Sequence, residues 1–120
     1  PLGGHLRAPH GVVCAAMLPL VFSANVAAIN LLGDEKKELL NRFDEVAQLL
    51  TGDQEANANI AVQWLDSLCA HLAVPKLASI GLQDSDIEML AEKASRSSSM
   101  KGNPVVFSKG ELATMLRKAM

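Results

Sequence analysis

The feature that most constrains the fold is a long uncharged stretch near the start of the chain. Across residues 8–33 no side chain carries a formal charge, apart from any proton held by His10. The stretch is long enough to span a bilayer as a helix, but Pro19, Ser23 and Asn25 break its apolar character. We therefore expect a helix buried in a protein core, and a membrane-spanning helix is the less favoured alternative.

After Gly33 the chain has the periodicity of amphipathic helices, in which apolar residues recur every three or four positions. One helix is predicted over residues 34–51 and ends at Gly52, since glycine adopts the left-handed cap conformation readily. Its predicted inward face is Leu39, Phe43, Val46, Ala47 and Leu50. The next helix is predicted over about 53–73, before Pro75 stops it. Its predicted inward face is Ile60, Ala61, Trp64, Leu65, Leu68 and Leu72.

Two shorter helices are predicted after a connector over residues 74–82, which carries the apolar Leu77 and Ile80. The first begins near Asp84 and frays in the serine-rich run 95–99. The second begins at Ser108, where Ser-x-x-Glu matches a capping box. No stretch alternates convincingly between apolar and polar residues. The predicted fold class is all-α, a helical bundle that forms a single domain over residues 1–120.

Composition and charge exclude several classes of protein. The chain has 120 residues, of which 49% are hydrophobic and 20% charged, with a net charge of −2. This is typical of a globular domain and gives no general attraction to nucleic acid or anionic membranes. The basic residues near the end are predicted to form a solvated helix face; they are Arg96, Lys101, Lys109, Arg117 and Lys118.

The two cysteines, Cys14 and Cys69, lie in apolar helical patterns and show no zinc-type spacing. We expect both to be small buried hydrophobic side chains in a reducing compartment. No basic segment precedes an apolar core at the start of the sequence, so a signal peptide is not expected. The expected location is the cytoplasm.

His10 is the candidate metal ligand, because Pro9 and Gly11 restrict the backbone before it and remove bulk after it. Imidazole is a borderline ligand that suits Fe²⁺ and Zn²⁺. No second and third ligand are predicted beside it at helical spacing. His5 lies in a glycine-rich turn with poor geometry for sharing a metal, and His71 is expected to be a surface or capping residue near a helix end.

A second candidate site is the loop over residues 98–104, punctuated by Gly102 and by Asn103-Pro104. Loops between rigid helices often line pockets. A plain turn between helices explains the same residues, and both interpretations stay open. The sequence has no glycine-rich phosphate loop, no Gly-x-Ser-x-Gly elbow and no His-Glu-x-x-His motif.

Together these motifs resemble the iron-containing (group III) alcohol dehydrogenase family. The front of the chain is similar to the family's metal-binding region, in Pro1-Leu2-Gly3-Gly4, Pro9-His10-Gly11, Cys14-Ala15 and Leu18-Pro19. Later segments are similar to the family's C-terminal end, in Val74-Pro75-x-Leu77, Gly81-Leu82, Asp86-Ile87 and Ser99-Met100-Lys101-Gly102-Asn103-Pro104. The resemblance covers nearly the whole chain.

The resemblance implies a helical domain like those of dehydroquinate synthase-like proteins, which follows an N-terminal α/β domain that binds NAD(P). In this family an Asp and three His ligate Fe²⁺ or sometimes Zn²⁺, and the last His falls on His10. The metal acts as a Lewis acid in the oxidation of an alcohol to an aldehyde or ketone. Ser99, Met100 and Lys101 would approach the substrate and nicotinamide pocket. Cys14 stands where many members carry Asn.

The same resemblance places the other three ligands and the cofactor domain before Pro1. We therefore expect the chain alone to bind metal weakly, to hold no cofactor tightly and to show no dehydrogenase activity. The expected partners are a small alcohol or aldehyde, the missing N-terminal domain and, for the isolated chain, a second copy of itself; nucleic acid and membrane are not expected. The alternative is a stand-alone helical interaction module, or an oligomerising remnant without catalysis.

Overall fold

The computed structural model describes residues 2–120, and that part of the chain is helical without a strand. Pro1, the first residue of the front motif, lies outside the described residues. The six α-helices are α1 (Leu2–His5), α2 (His10–Leu31), α3 (Lys37–Thr51), α4 (Ala58–His71), α5 (Ile87–Ser95) and α6 (Lys109–Lys118). Short 3₁₀ turns occupy Gly33–Lys36, Leu77–Ile80, Asp84–Asp86 and Ser98–Gly102. The all-α class is confirmed.

Helix α2 is the long uncharged stretch, and it runs without a break through Pro19. Proline has no N–H, so the Ala15 carbonyl, four residues earlier, loses its helical donor. The thiol of Cys69 on α4 donates to that carbonyl, with Sγ 3.7 Å from the oxygen. Burial, and secondarily the nearby Asp66 carboxylate, raises the pKa of the Cys69 thiol, which favours the protonated donor form.

Two hydrophobic clusters lie along α2. The larger one joins α2 to α5, α6 and the connector before α5, and its most deeply buried side chains include Leu77, Ile87 and Leu90. The smaller one joins α2 to α3 and α4 through small residues, Ala47, Ala56 and Ala61. Its aromatic contact is an edge-to-face pair of Phe22 and Phe43, with ring centroids 4.9 Å apart. Helix α2 is therefore the element that both clusters share.

The predicted inward faces of α3 and α4 are correct in part. Ala47, Ala61 and Leu65 are buried. Ile60 and Leu72 are 38% and 63% exposed, so the prediction that they face inward is wrong, and Val46 is also exposed, at 39%. The apolar stripe of these helices is wider than the surface that α2 offers them, so its margins face solvent.

Two helices begin later than the sequence predicts. The helix predicted from residue 34 begins at Lys37, after a 3₁₀ turn. The helix predicted from about residue 53 begins at Ala58. The Asp53 carboxylate accepts from the Glu55 N–H at 2.9 Å, and the Asn57 side chain accepts from the Ile60 N–H at 3.1 Å. The Asp53 bond stabilises a turn before the helix, and the Asn57 bond is the N-cap that fixes the start of α4 at Ala58.

Two predicted helix ends are confirmed. Gly52 caps α3 in the left-handed conformation, with φ of 72°. Ser108 and Glu111 form the capping box of α6, because each side chain bonds to the backbone N–H of the other residue. The Glu111 carboxylate accepts hydrogen bonds from the backbone N–H and from the hydroxyl of Ser108. These two bonds, the backbone one more strongly, hold the pKa of Glu111 below its usual range.

By length and composition α2 could cross a membrane, although a core helix of a globular protein passes the same test. Within the described residues, 28% of its most apolar window is buried. The expectation of a helix enclosed in a core is therefore met only in part by this portion of the chain. Leu18 and Leu31 on α2 are 49% and 88% exposed.

Candidate functional site

His10 is the first residue of α2, directly after Pro9, whose φ and ψ of −55° and 136° are extended. Proline's fixed φ favours this entry into the helix, so the motif places the imidazole at the helix start as predicted. The Nδ1 side of the ring faces α1, where a Cβ added to Gly3 would lie 3.2 Å from Nδ1. Gly3 therefore permits a close approach of the α1 backbone to His10.

Cys14 lies one turn further along α2, and its Sγ is 3.3 Å from Nε2 of His10. The cysteine is exposed, so the prediction of a small buried hydrophobic side chain is wrong for Cys14. The contact between His10 and Cys14 was also not predicted from the sequence. The available signal was the His-x-x-x-Cys spacing, because residues i and i+4 are neighbours on a helix surface.

A cavity of about 360 Å³ opens beside His10 between α1, α2, α5, α6 and the turn at Ser98–Gly102. We call it the His10 cavity. Its hydrogen-bonding side chains are those of His10, Cys14 and Ser99. The rest of the wall is apolar, and its larger members include Val13, Met17, Leu90, Met100, Phe107 and Met115.

The structure brings together three of the four site residues named from the sequence. His10, Ser99 and Met100 line the His10 cavity, although some ninety positions separate the first from the other two. Lys101 is exposed and is not part of the wall. The loop over residues 98–104 contains a 3₁₀ turn, and two of its residues, Ser99 and Met100, line the cavity, so both interpretations of the loop stay open.

A pair of asparagines fixes that loop to α2. Asn25, which is 3% exposed, donates from Nδ2 to Oδ1 of Asn103 at 3.1 Å, and Asn103 donates from Nδ2 to Oδ1 of Asn25 at 2.8 Å. Asn25 also donates to the Val21 carbonyl, and Asn103 to the Val105 carbonyl. This pair was not predicted from the sequence, where Asn103 stands only as part of a turn-forming Asn-Pro. The two amides hold Ser99 and Met100 against α2.

The other histidines are placed away from the cavity wall. Nε2 of His5 lies 3.2 Å from Oδ2 of Asp86. The Gln83 backbone N–H, and after it the His5 side chain, hold the pKa of Asp86 below its usual range. His71 is exposed in the last turn of α4.

Residues 2–120 do not contain a complete set of metal ligands. His10 and Cys14 are chemically suited donors for a borderline divalent ion. No group of three or more His, Cys, Asp or Glu side chains in this range could hold an ion. A structural zinc site has four ligands, and a catalytic one keeps three protein ligands. The two donors therefore fit one side of such a site and leave the other side unfilled.

Two of the basic residues near the end of the chain, Lys109 and Arg117, form ion pairs on the surface between α5 and α6. Lys109 lies within ion-pair distance of Glu88 and Glu92, and Arg117 donates to Glu88 at 3.0 Å. Exposed pairs of this kind contribute little to stability. Their position on a solvated helix face agrees with the sequence analysis.

Comparison with known proteins gives a consistent result. The family model described as "Fe-containing alcohol dehydrogenase family, C-terminal" matches residues 1–120. Alcohol dehydrogenase 4 of Saccharomyces cerevisiae is 30% identical over 119 residues, which are 98% of this chain and 29% of that protein. The 1,3-propanediol dehydrogenase of Citrobacter freundii is 27% identical over 124 residues, covering 98% of this chain and 30% of that protein. The corresponding enzyme of Klebsiella pneumoniae is 29% identical.

No solved structure gives a significant match to the chain. The chain spans about three tenths of the length of the curated relatives that it matches.

Proposed function

The chain belongs to the Fe-containing alcohol dehydrogenase family, as its C-terminal region, and we propose that it supplies a metal ligand and the apolar substrate wall of an NAD(P)-linked alcohol dehydrogenase. The reaction would be the reversible oxidation of an alcohol to an aldehyde or ketone. The observation that carries the proposal is the shared cavity: His10, Ser99 and Met100 converge on one apolar space beside the start of α2.

In this proposal each part of the cavity has a distinct role. Nε2 of His10 faces Cys14. The lone pair of this nitrogen would serve as one ligand of Fe²⁺ or Zn²⁺. When bound, such an ion supplies Lewis acidity, which stabilises negative charge on an alcohol oxygen. The apolar wall excludes water and packs against the carbon chain, while the Ser99 hydroxyl offers a hydrogen bond near the polar end.

The composition of the wall indicates the class of alcohol. Among the described residues that line the cavity, only His10, Cys14 and Ser99 have side chains with hydrogen-bonding groups. A second hydroxyl on the substrate would therefore be buried against Met17, Phe107 or similar residues without a partner. Burying an unpartnered hydroxyl costs about 1–3 kcal/mol. We propose a monoalcohol with an alkyl tail, rather than a diol, as the substrate class.

We expect selective binding of such alcohols to the 120-residue chain, read from the methyl NMR signals of its five methionines. Met17, Met100 and Met115 line the His10 cavity, whereas Met89 and Met120 do not and serve as internal controls. Pentan-1-ol should shift the first three signals and leave the other two in place. Pentane-1,5-diol should bind about tenfold more weakly, because its second hydroxyl is buried without a partner.

Two outcomes would contradict the proposal. Equal shifts at all five methionines would show that the alcohol binds no defined cavity. Equal affinity for the diol and the monoalcohol would remove the argument for substrate class, because it would show that the wall does not discriminate against a second hydroxyl.

The rest of the active site belongs, in this proposal, to the part of the family's length that the chain does not span. That part would hold the further metal ligands and the NAD(P)-binding domain. The isolated chain would accordingly bind no cofactor tightly and would not turn over alcohols. We propose a cytoplasmic enzyme with no nucleic-acid or membrane partner.

For the isolated chain we propose self-association through the uncovered side of α2, where Leu31 is 88% exposed. Sedimentation velocity should show a dimer whose fraction rises with protein concentration, because exposed apolar surface favours association. Leu31→Glu should shift the chain towards the monomer. Leu49→Glu is the matched control, since Leu49 is 84% exposed on α3, and it should leave the dimer fraction unchanged. A monomer at all concentrations would count against the proposal.

A further inference from the structure

We propose that Cys14 is a second metal donor beside His10, and that the pair binds a thiophilic divalent cation such as Co²⁺ or Zn²⁺ through one nitrogen and one sulfur. The inference deepens the proposed function, on which it rests for placing a metal at His10. It adds a thiolate, contributed by this chain's own sequence, to the metal position.

The spacing of the two side chains suits one shared ion. Typical bond lengths to Zn²⁺ are about 2.3 Å for a thiolate and about 2.0–2.1 Å for an imidazole, so tetrahedral geometry places the two donor atoms about 3.5 Å apart. The observed distance between Sγ of Cys14 and Nε2 of His10 is 3.3 Å. The small difference lies within the movement available to two exposed side chains on one helix.

The orientation of the imidazole also fits. Its Nδ1 side lies against α1 at Gly3, and Nε2 is the nitrogen nearest to Cys14. Both side chains line the His10 cavity, so an ion between them would be reached from the same space as the alcohol. On binding, the thiol proton is released to solvent, and the ion replaces the hydrogen bond between sulfur and nitrogen.

The donor types predict which ions the pair prefers. Thiolate is a soft ligand, and a site of nitrogen and sulfur donors binds Co²⁺ more tightly than Fe²⁺. Neither Mg²⁺ nor Ca²⁺ favours such donors, because both prefer oxygen. Since no third His, Cys, Asp or Glu within residues 2–120 completes the cluster, water would fill the remaining positions of a bound ion.

Titration of the reduced chain with Co²⁺ tests the inference, because a thiolate-to-cobalt bond produces charge-transfer absorption in the near ultraviolet. We expect this absorption in the unchanged chain and in Cys69→Ser, the matched control for the other thiol. Cys14→Ser should abolish it and weaken Co²⁺ binding about tenfold or more. Addition of Zn²⁺ should displace the cobalt and reverse the signal.

The other outcomes overturn the inference. If Co²⁺ perturbs the His10 ring signals but gives no thiolate absorption, and Cys14→Ser binds equally well, Cys14 is not a donor; the proposed function at His10 then stands. If His10→Ala leaves the absorption and the affinity unchanged, the ion binds without the pair. Circular dichroism of each variant verifies the fold, and the exposure of Cys14 means that serine is tolerated there. Failure of alcohol binding in the methionine experiment would concern the proposed function alone.

Discussion

Replacing Leu77 with alanine is expected to lower the free energy of unfolding by about 2–5 kcal/mol, the range for large-to-small changes in a core. Leu77 has no exposed surface and packs in the larger hydrophobic cluster along with residues of α5 and α6. Its own backbone N–H donates to the Ala119 carbonyl at 2.9 Å. Alanine keeps this bond, so the expected loss reports the leucine side chain. Urea denaturation of the two chains gives the difference.

Leu49→Ala is the matched control, because it makes the same change on a side chain that is 84% exposed. Its effect should stay within about 0.5 kcal/mol. Comparable losses for both variants would contradict the buried position of Leu77. The two variants thus separate the burial of a leucine from the general effect of shortening one.

The importance of Leu77 was not predictable from its neighbourhood in the sequence. Periodicity identifies an inward face only where a helix is long enough to repeat the pattern, and Leu77 lies in a connector with one 3₁₀ turn. Its burial depends on the convergence of α5 and the end of α6 on that turn. In contrast, the end of α3 at Gly52 and the start of α6 at Ser108 depend on local chemistry, and the sequence predicts both correctly.

The candidate site divides in the same way. The Pro9-His10-Gly11 motif predicts the presentation of the imidazole, because the relevant constraints act within three residues. The prediction that Ser99 and Met100 lie near the site of His10 came from the family resemblance. No pattern in their own segment predicts it. The exposure of Cys14 was not predicted, because its apolar neighbours in the sequence suggested burial, whereas Cys14 is exposed near the start of α2.

Replacing Asn25 with alanine is expected to lower the free energy of unfolding by about 2–3 kcal/mol, because the partly buried amide of Asn103 would lose both the donor and the acceptor that Asn25 provides. Asn25 is the buried polar side chain of α2, and it exchanges two hydrogen bonds with Asn103. Asn30→Ala is the matched control on the same helix, because Asn30 is exposed, and its effect should be close to zero. Urea denaturation again measures both differences, and equal losses would show that burial of Asn25 is not the cause.

A double-mutant cycle isolates the contribution of the pair. Because each single variant removes both hydrogen bonds between the two amides, Asn25→Ala and Asn103→Ala together should cost about 1–2 kcal/mol less than the sum of the two single changes. The same variants should broaden or shift the methyl signal of Met100, since the turn at Ser98–Gly102 loses its attachment to α2, while Met89 serves as the unaffected reference. Additive losses would show that the two amides act independently. Strong coupling with a displaced Met100 signal would tie the stability of one buried amide pair to the shape of the cavity that contains His10.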